Sequence, residues 1–248
     1  MTTIPKDHPR YAALLVRDRL AAAMREGVLA PEGLIAQGRG EAFDYLLGEK
    51  TTESAARAER AAAAMLLSAR RPVISVNGNT AALCAHQIAA LQKASGAAVE
   101  VNLFHRTEER MEKIIALLRS HGVDVLTGTS ERLIPLAHDR ALCLRDGIGA
   151  ADLVLVPLED GDRCEALRAM GKDVIAIDLN PLSRTARTAT LAVVDEVTRA
   201  VPAITAHCRD LSADEARRIA ASVDATAFLK EALAGMIRHL EVINDALE

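Results

Sequence analysis

The segment DVIAIDLNPLSRTA, residues 173–186, predicts the class of fold to which this chain belongs. An apolar run rich in β-branched residues ends on Asp178 and opens at once into polar residues that include Asn180 and Arg184. In an open parallel sheet, an acid that ends a strand, with amides and an arginine just beyond it, can bind the ribose and phosphates of a nucleotide. The segment therefore indicates an α/β fold with a nucleotide site at the end of a strand.

Short β-rich runs alternate with stretches of helical periodicity on both sides of this segment. The other predicted strands are residues 72–77, 98–104, 123–126, 152–157 and 191–194. The predicted helices between them are residues 80–93, 107–121, 162–170 and 198–208. Continuous apolar strands that alternate with amphipathic helices predict a parallel sheet covered by helices on both faces.

Helical segments precede the predicted sheet. A helix is predicted over Tyr11–Arg25, followed by a loop over residues 27–40 that contains four glycines and a proline. A long alanine-rich helix is then expected from Thr51 or Thr52 to Ser68.

Helical sequence resumes after the sheet at Leu211, where Ser212 and Glu215 have the spacing of a capping box. We expect a single α/β domain over residues 1–248. Its N-terminal helical region covers about 8–70, its sheet region about 71–205 and its C-terminal helix about 211–247.

Composition excludes several classes of protein. Half of the 248 residues are apolar, with no Trp, 3 Phe and 2 Tyr, so the core must be aliphatic. A net charge of −4 with scattered basic residues argues against a nucleic-acid partner. No apolar run approaches the ~20 residues that span a bilayer, so no membrane partner is expected. Four scattered cysteines and no signal-like start predict a reducing, cytoplasmic location.

Polar residues follow the predicted strands, and the fold would bring them to one edge of the sheet. Asn77 and Asn79 follow one strand, and Arg106 follows the next. These side chains could contact a ligand, or could serve only in turns and helix caps.

An acidic turn with Glu159, Asp160 and Asp162 follows the strand at residues 152–157. Its carboxylates could hold a Mg²⁺ ion, because hard cations prefer oxygen ligands. Such turns are more often only solvated, so the metal ligands are left unassigned.

Two arginines of the N-terminal region are candidates for binding an anion. Arg17 shares a helix face with Ala13 and Leu20, so its side chain either reaches solvent or is partly buried against an anion. Arg39 lies between two glycines of the predicted loop, where it could bind a phosphate or carboxylate through two nitrogens. The motifs GxGxxG, GxxxxGK[ST] and GxSxG do not occur, which argues against a dehydrogenase.

Longer segments resemble the archaeal phosphopantothenate synthetases, also called 4-phosphopantoate–β-alanine ligases. They are IPKDHPRYAALLVRDRL, GLIAQGRGEAFDYLLGE, PVISVNGNTAAL, VEVNLFHRTEER, VLVPLEDGDRCEAL and AIDLNPLSRTA, and together they run from about residue 4 to about 202. The resemblance implies a Rossmann-like sheet and a homodimer. It also implies ATP-dependent joining of 4-phosphopantoate to β-alanine, which yields 4′-phosphopantothenate, AMP and pyrophosphate through an acyl adenylate.

The resemblance also implies which positions contact ATP: Arg17, Arg39, Asp178, Leu179, Asn180, Arg184, Thr185, Glu196 and Val197. We expect Arg17 and Arg39 to be catalytic through the phosphates, because alignment and charge stabilisation are what this reaction needs. Asp178 is expected on the ribose and Mg²⁺ on the phosphates. By physical inference, Asn77, Asn79 and Arg106 are expected near the phosphopantoate.

Two alternatives stay open at this point. The same sheet could belong to a non-catalytic nucleotide-binding sensor, or to an ATP-dependent ligase for a different phosphorylated acid. The acidic turn favours catalysis over sensing, because a sensor needs no carboxylates to position a metal.

Overall fold

The computed structural model describes residues 4–247. It contains seven strands within that range: β1 (Pro72–Val76), β2 (Ala98–Val101), β3 (Ser130–Arg132), β4 (Leu142–Leu144), β5 (Leu153–Pro157), β6 (Asp173–Ile177) and β7 (Leu191–Val193). Five of them form an all-parallel sheet in the order β2-β1-β5-β6-β7, and β3 and β4 form a separate antiparallel pair. The predicted Rossmann-like α/β fold is confirmed.

Ten α-helices surround the strands in the described part of the chain. They are α1 (Tyr11–Arg25), α2 (Pro31–Leu47), α3 (Glu53–Ser68), α4 (Gly78–Ser95), α5 (Glu108–Ser120), α6 (Gly161–Ala169), α7 (Arg184–Thr188), α8 (Val197–Asp210), α9 (Ala213–Ala221) and α10 (Ala225–Asp245). Asparagine, threonine and serine side chains cap several of them, as at Thr52, Thr107 and Ser183.

The two faces of the sheet are buried against different layers. Ile74 and Leu155 pack with the helical layer that contains α3, α4, α5 and α8, whereas Val73 and Val154 pack with α6 and the segment before β5. Strand side chains alternate between the faces, and both faces are apolar, so the strands read as continuous apolar runs.

The glycine-containing segment predicted as a loop is largely the helix α2, and that prediction was wrong. Pro31 begins the helix, where its missing N–H costs nothing, and Gly48 ends it with a φ of 87°. Gly33 lies inside the helix, and only a glycine fits there, because a Cβ would be 2.6 Å from Oδ1 of Asn79. This glycine serves close packing between α2 and α4, which local turn preferences do not reveal.

Other boundaries differ from the sequence expectation. The C-terminal segment forms α9 and α10, which are separated at Ser222–Asp224, and the Asp224 side chain caps α10 by accepting from the amide of Ala227. The expected strand at residues 123–126 is only an isolated bridge between Val99 and Val125. The capping box of Ser212 and Glu215 is confirmed.

Within residues 4–247, every helix is too short or too polar to cross a membrane.

Candidate active site

The strand order creates a crevice at the carboxyl edge of the sheet. From β1 the chain goes first to its neighbour β2 and later to its other neighbour β5. Ligands of open parallel sheets bind at such a reversal, just beyond the strand ends. Two cavities lie along this edge. One lies beside the ends of β6 and β7, where the sequence predicts the nucleotide, and is called the nucleotide cavity after that prediction; the other lies at the β1–β5 reversal and is called the reversal cavity.

The turn after β6 holds Asp178 in a fixed orientation. One oxygen of its carboxylate accepts a hydrogen bond from the backbone amide of Asn180 at 2.9 Å, and the other accepts one from the hydroxyl of Ser183. Burial raises the pKa of Asp178, while Ser183, Asn180 and the charge of Arg39 act in the opposite direction. Leu179, the next residue, is buried and lines the nucleotide cavity.

The short helix α7 extends the same turn. Its second residue, Thr185, is buried, and its hydroxyl donates to the carbonyl of Glu159 at 2.9 Å, which ties the β6 end to the β5 end. Arg184 is exposed, and its Nε lies 3.7 Å from Glu165. A Cβ at Gly161 would approach that Nε to 2.5 Å, so the glycine allows the arginine to lie across the start of α6.

The β7 end contributes Glu196 and Val197, both buried. Glu196 accepts the amide and the hydroxyl of Thr198, but its Oε1 is buried without a hydrogen-bond partner in the described chain. Burial raises the pKa of Glu196. A buried acceptor without a donor is costly, and this one belongs to a residue that lines the nucleotide cavity.

The two predicted phosphate-binding arginines lie on the helices above this edge. Arg17 of α1 binds Glu41 of α2 through Nη2 at 2.8 Å and Nε at 3.1 Å, and these contacts raise the pKa of Arg17. Arg39 is exposed on α2, and among residues 4–247 it has no hydrogen bond or ion pair to another side chain. Its charge nevertheless reaches Asp178, where it offsets part of the rise in pKa that burial causes.

The nucleotide cavity has a volume of about 190 Å³. It is enclosed by α1, α2 and the start of α8, and Gln37, Asp44 and Arg199 line it together with Leu179 and Glu196. Sequence reasoning did not select Gln37 or Asp44, because their approach to the β7 end depends on how α2 packs, and it also did not select Arg199, which lies in the first turn of α8.

The reversal cavity has a volume of about 300 Å³ and contains both predicted asparagines. Asn77 donates to the carbonyls of Pro157 and Leu158, and its Oδ1 caps α4. Asn79 donates to the carbonyl of Gly33 at 2.9 Å. The asparagines therefore join β1, β5 and α2 around the cavity.

Two arginines that sequence reasoning missed line the reversal cavity. Arg110 donates to the carbonyls of Val28 at 3.0 Å and His105 at 2.7 Å. Arg140, only 5% exposed, donates to Asp160 at 3.0 Å and to the carbonyl of Asn102 at 3.2 Å. Burial and then the charge of Arg140 lower the pKa of Arg110, so the two guanidinium groups repel each other. A bound anion would relieve that repulsion.

The signals for these two arginines were weak. Arg110 occupies the first turn of α5, where the neighbouring residues Thr107, Glu108 and Glu109 suggested only a helix start. Arg140 lies in the segment between β3 and β4, outside the sequence segments quoted for the family resemblance.

Arg106 lies apart from the two asparagines. Its side chain donates to the hydroxyl of Ser130 at 2.9 Å and lines a different cleft, between α5 and the β3–β4 pair. The structure thus does not bring Arg106 together with Asn77 and Asn79, and its contact with a substrate stays a prediction.

The carboxylates of the acidic turn after β5 already have partners. Glu159 forms an ion pair with Arg163, Asp160 forms one with Arg140 at 3.0 Å, and Asp162 lies 2.9 Å from Nε2 of His138. In the described chain no group of three or more His, Cys, Asp or Glu residues could hold a metal ion. These residues do not fit a Mg²⁺ site made of protein ligands alone, and Mg²⁺ stays a prediction.

Comparison with known proteins identifies relatives of this chain. The family described as "Phosphopantothenate/pantothenate synthetase" matches residues 54–239. A protein of Methanospirillum hungatei named 4-phosphopantoate–β-alanine ligase is 60% identical over 93% of this chain and 95% of its own length. Proteins with the same name from Methanosarcina mazei and Thermococcus kodakarensis are each 50% identical, over 98% and 90% of this chain and 98% and 88% of their own lengths.

Proposed function

The chain belongs to the phosphopantothenate/pantothenate synthetase family, and from this premise we propose that it joins 4-phosphopantoate to β-alanine at the expense of ATP. The products are 4′-phosphopantothenate, AMP and pyrophosphate. One observation supports this two-substrate reaction most strongly: the carboxyl edge of a single sheet carries two separate cavities, one lined by Arg10 and Arg199 and the other by Arg110 and Arg140.

The nucleotide cavity and the turns beside it bind ATP in this proposal. Asp178 accepts a ribose hydroxyl, with Leu179 and Asn180 in the same turn, while Arg17 and Arg39 bind the phosphates from above. Arg184 and Thr185, and then Glu196 and Val197, complete the contacts from the ends of β6 and β7. Arg17 must give up part of its pairing with Glu41 in order to bind the nucleotide. Arg39 is exposed and can bind the phosphates without breaking such a pairing.

The reversal cavity binds the phosphate of 4-phosphopantoate. Arg110 and Arg140 repel each other across this cavity, although Asp160 pairs with Arg140 and the charge of Glu32 acts on Arg110 in the opposite direction, and a phosphate dianion offsets the remaining repulsion. Asn77 and Asn79 begin α4 beside them, where backbone amides favour an anion. The carboxylate of the substrate then lies toward the ATP side of the edge.

The chemistry needs no nucleophile from the protein. The substrate carboxylate attacks the α-phosphorus of ATP and pyrophosphate leaves; the β-alanine amine then attacks the acyl carbon and AMP leaves. The protein supplies alignment and positive charge for the developing negative charge on the phosphates. The cysteines agree with this, since all four are buried and burial raises the pKa of Cys143 to about 11.

Further parts of the proposal concern the state of the protein. It is cytoplasmic, uses Mg²⁺ as the counter-ion of ATP, and is a homodimer. Apolar side chains exposed along α10, among them Ile237, Val242 and Ile243, support the dimer, because a second subunit would cover them.

The experiment incubates the protein with ATP, Mg²⁺, 4-phosphopantoate and β-alanine, and identifies the products by mass. We expect 4′-phosphopantothenate with equal amounts of AMP and pyrophosphate. ATP binding without turnover would indicate a sensor, turnover with another phosphorylated acid only would indicate a different ligase, and ADP as product would overturn the adenylate step.

A matched pair of variants tests the reversal cavity. Arg110→Met should raise the KM for 4-phosphopantoate by about 10- to 100-fold, the scale of a lost charged hydrogen bond, with little change in the KM for ATP. Arg119→Met, an exposed position on the same helix, should change neither. Equal effects of Arg110→Met on both substrates would contradict a phosphate site there.

A further inference from the structure

A cluster of charged side chains extends from the wall of the nucleotide cavity into the core. It contains two carboxylates, Asp195 and Asp44, one guanidinium, Arg199, and the carboxyl group of Glu59. Glu59 is 2% exposed and Asp195 is part of the same buried core at 1%. Glu59 lies in the middle of α3, Asp195 just after β7, Arg199 on α8 and Asp44 on α2.

The bonds of Asp195 and Arg199 join three elements of the nucleotide site. Arg199 donates to Asp195 at 2.8 and 2.6 Å and to Asp44 at 2.6 and 3.1 Å. Asp195 also accepts the hydroxyl of Thr51 at 2.6 Å and the amide of Glu196 at 2.8 Å. The cluster thus links α2, which carries Arg39, to the turn that carries Glu196.

The charges in this cluster disfavour an ionised Glu59. Arg199 offsets only one of the two negative charges on Asp44 and Asp195, so a net charge of −1 remains, and ionisation of Glu59 would add a third buried carboxylate with no cation of its own. The charged groups that face Glu59 are Asp195 and Arg199, and no donor of the described residues reaches its Oε1. A protonated carboxyl, in contrast, can donate to Asp195.

We infer that Glu59 is a positioning residue for ATP: as a neutral carboxylic acid it donates a hydrogen bond to Asp195 and so holds the β7–α8 turn and α2 in their binding arrangement. This inference rests on the proposed function. Burial, followed by the contact with Asp195, raises the pKa of Glu59 from 4.5 to about 9, so the proton is retained at neutral pH.

The test compares ATP affinity by calorimetry between pH 7 and 10 in wild type, Glu59→Gln, Glu59→Leu and the exposed control on the same helix, Glu53→Gln. Wild type and Glu53→Gln should bind ATP about tenfold more weakly at pH 10 than at pH 7, because one pH unit above the pKa leaves about a tenth of Glu59 protonated. Glu59→Gln donates a hydrogen bond but cannot ionise. It should bind ATP within threefold of wild type at pH 7 and lose no affinity at pH 10.

Glu59→Leu should bind ATP at least about tenfold more weakly at pH 7, because it lacks the donor, with kcat at saturating ATP changed less than KM. Parallel pH dependence of wild type and Glu59→Gln would overturn the inference, and this comparison holds even if the leucine variant does not fold. ATP binding with this pH dependence but without ligation would instead refute the proposed function alone, and a wild type that binds no ATP would refute both.

Discussion

Arg39 is the residue whose role is easiest to separate from the fold. It is exposed on α2 and makes no ion pair with the residues described, so its replacement should leave stability nearly unchanged. We predict that Arg39→Ala lowers kcat/KM by about 10²-fold, the scale of a lost donor to transition-state charge. Arg39→Lys should recover only part of the loss, because an ammonium cannot bind two phosphate oxygens as the planar guanidinium does. Steady-state kinetics measure this, and full activity in Arg39→Ala would remove the residue from the site.

Asp178 has a structural role as well as the proposed contact with ribose, and two substitutions separate them. Asp178→Ala should raise the KM for ATP at least tenfold, roughly the value of a charged hydrogen bond. Asp178→Asn keeps an acceptor for the amide of Asn180 while removing the charge. If the asparagine variant has the ATP saturation curve of wild type, the carboxylate serves only the turn. Circular dichroism should show a native fold for both.

Within helix α2, alanine substitutions at two glycines should change the free energy of unfolding in opposite directions. Gly33→Ala should lower the free energy of unfolding by about 1–3 kcal/mol, because its Cβ would lie 2.4 Å from Leu29 and 2.6 Å from Asn79. Gly38→Ala is the control in the same helix, since a Cβ there meets nothing within 4 Å. It should raise the free energy of unfolding by up to about 1 kcal/mol. Urea titrations measure both, and equal effects would show that α2 does not pack closely on α4.

Helix α10 has two apolar faces with different consequences. Ala232 and Met236 are buried within the subunit against the β7 side of the sheet, whereas Ile237, Val242 and Ile243 are exposed. Removal of everything from Leu211 would expose the core, so point changes on the exposed face test the dimer better than truncation does.

At the scale of the whole molecule, we predict that Ile237→Glu with Ile243→Glu converts a dimer into monomers. The charges would be costly in an apolar interface and harmless on a face in contact with water. Met170→Glu, a partly exposed position outside α10, should leave the mass unchanged. Light scattering measures the molar mass of each variant. A double variant that remains a dimer would show that the interface lies elsewhere.

The pH dependence of stability is also a property of the whole molecule. The pKa of Glu59 in the folded protein is about 9, above its unfolded value of 4.5. Its contribution to the free energy of unfolding is therefore complete below pH 4.5 and declines as the pH rises toward 9. Glu59→Gln removes this dependence. We therefore expect its stability relative to wild type to increase between pH 5 and 9, by at most about 1.4 kcal/mol per pH unit. Denaturant midpoints at several pH values check this; a constant difference would mean that Glu59 is ionised when folded.

Local sequence patterns were enough to predict the parallel sheet and the placement of most helices, because apolar periodicity and helix caps act over a few neighbouring residues. It also placed Asp178, Asn77 and Asn79 at one edge, since the carboxyl ends of parallel strands share an edge. The long segments that resemble the family could also be recognised without a structure, because each is a continuous stretch of sequence.

Features that depend on contacts between distant parts of the chain could not be predicted in this way. Gly33 lies in a helix rather than a loop, and α2 packs there so closely on α4 that a Cβ would be 2.6 Å from Asn79. Arg140 reaches the reversal cavity, and Arg106 does not, because of the path of the segment that carries β3 and β4. The neutral state of Glu59 arises from burial beside Asp195, 136 positions later in the chain. Burial and electrostatic fields depend on the assembled neighbours, so no local pattern encodes them.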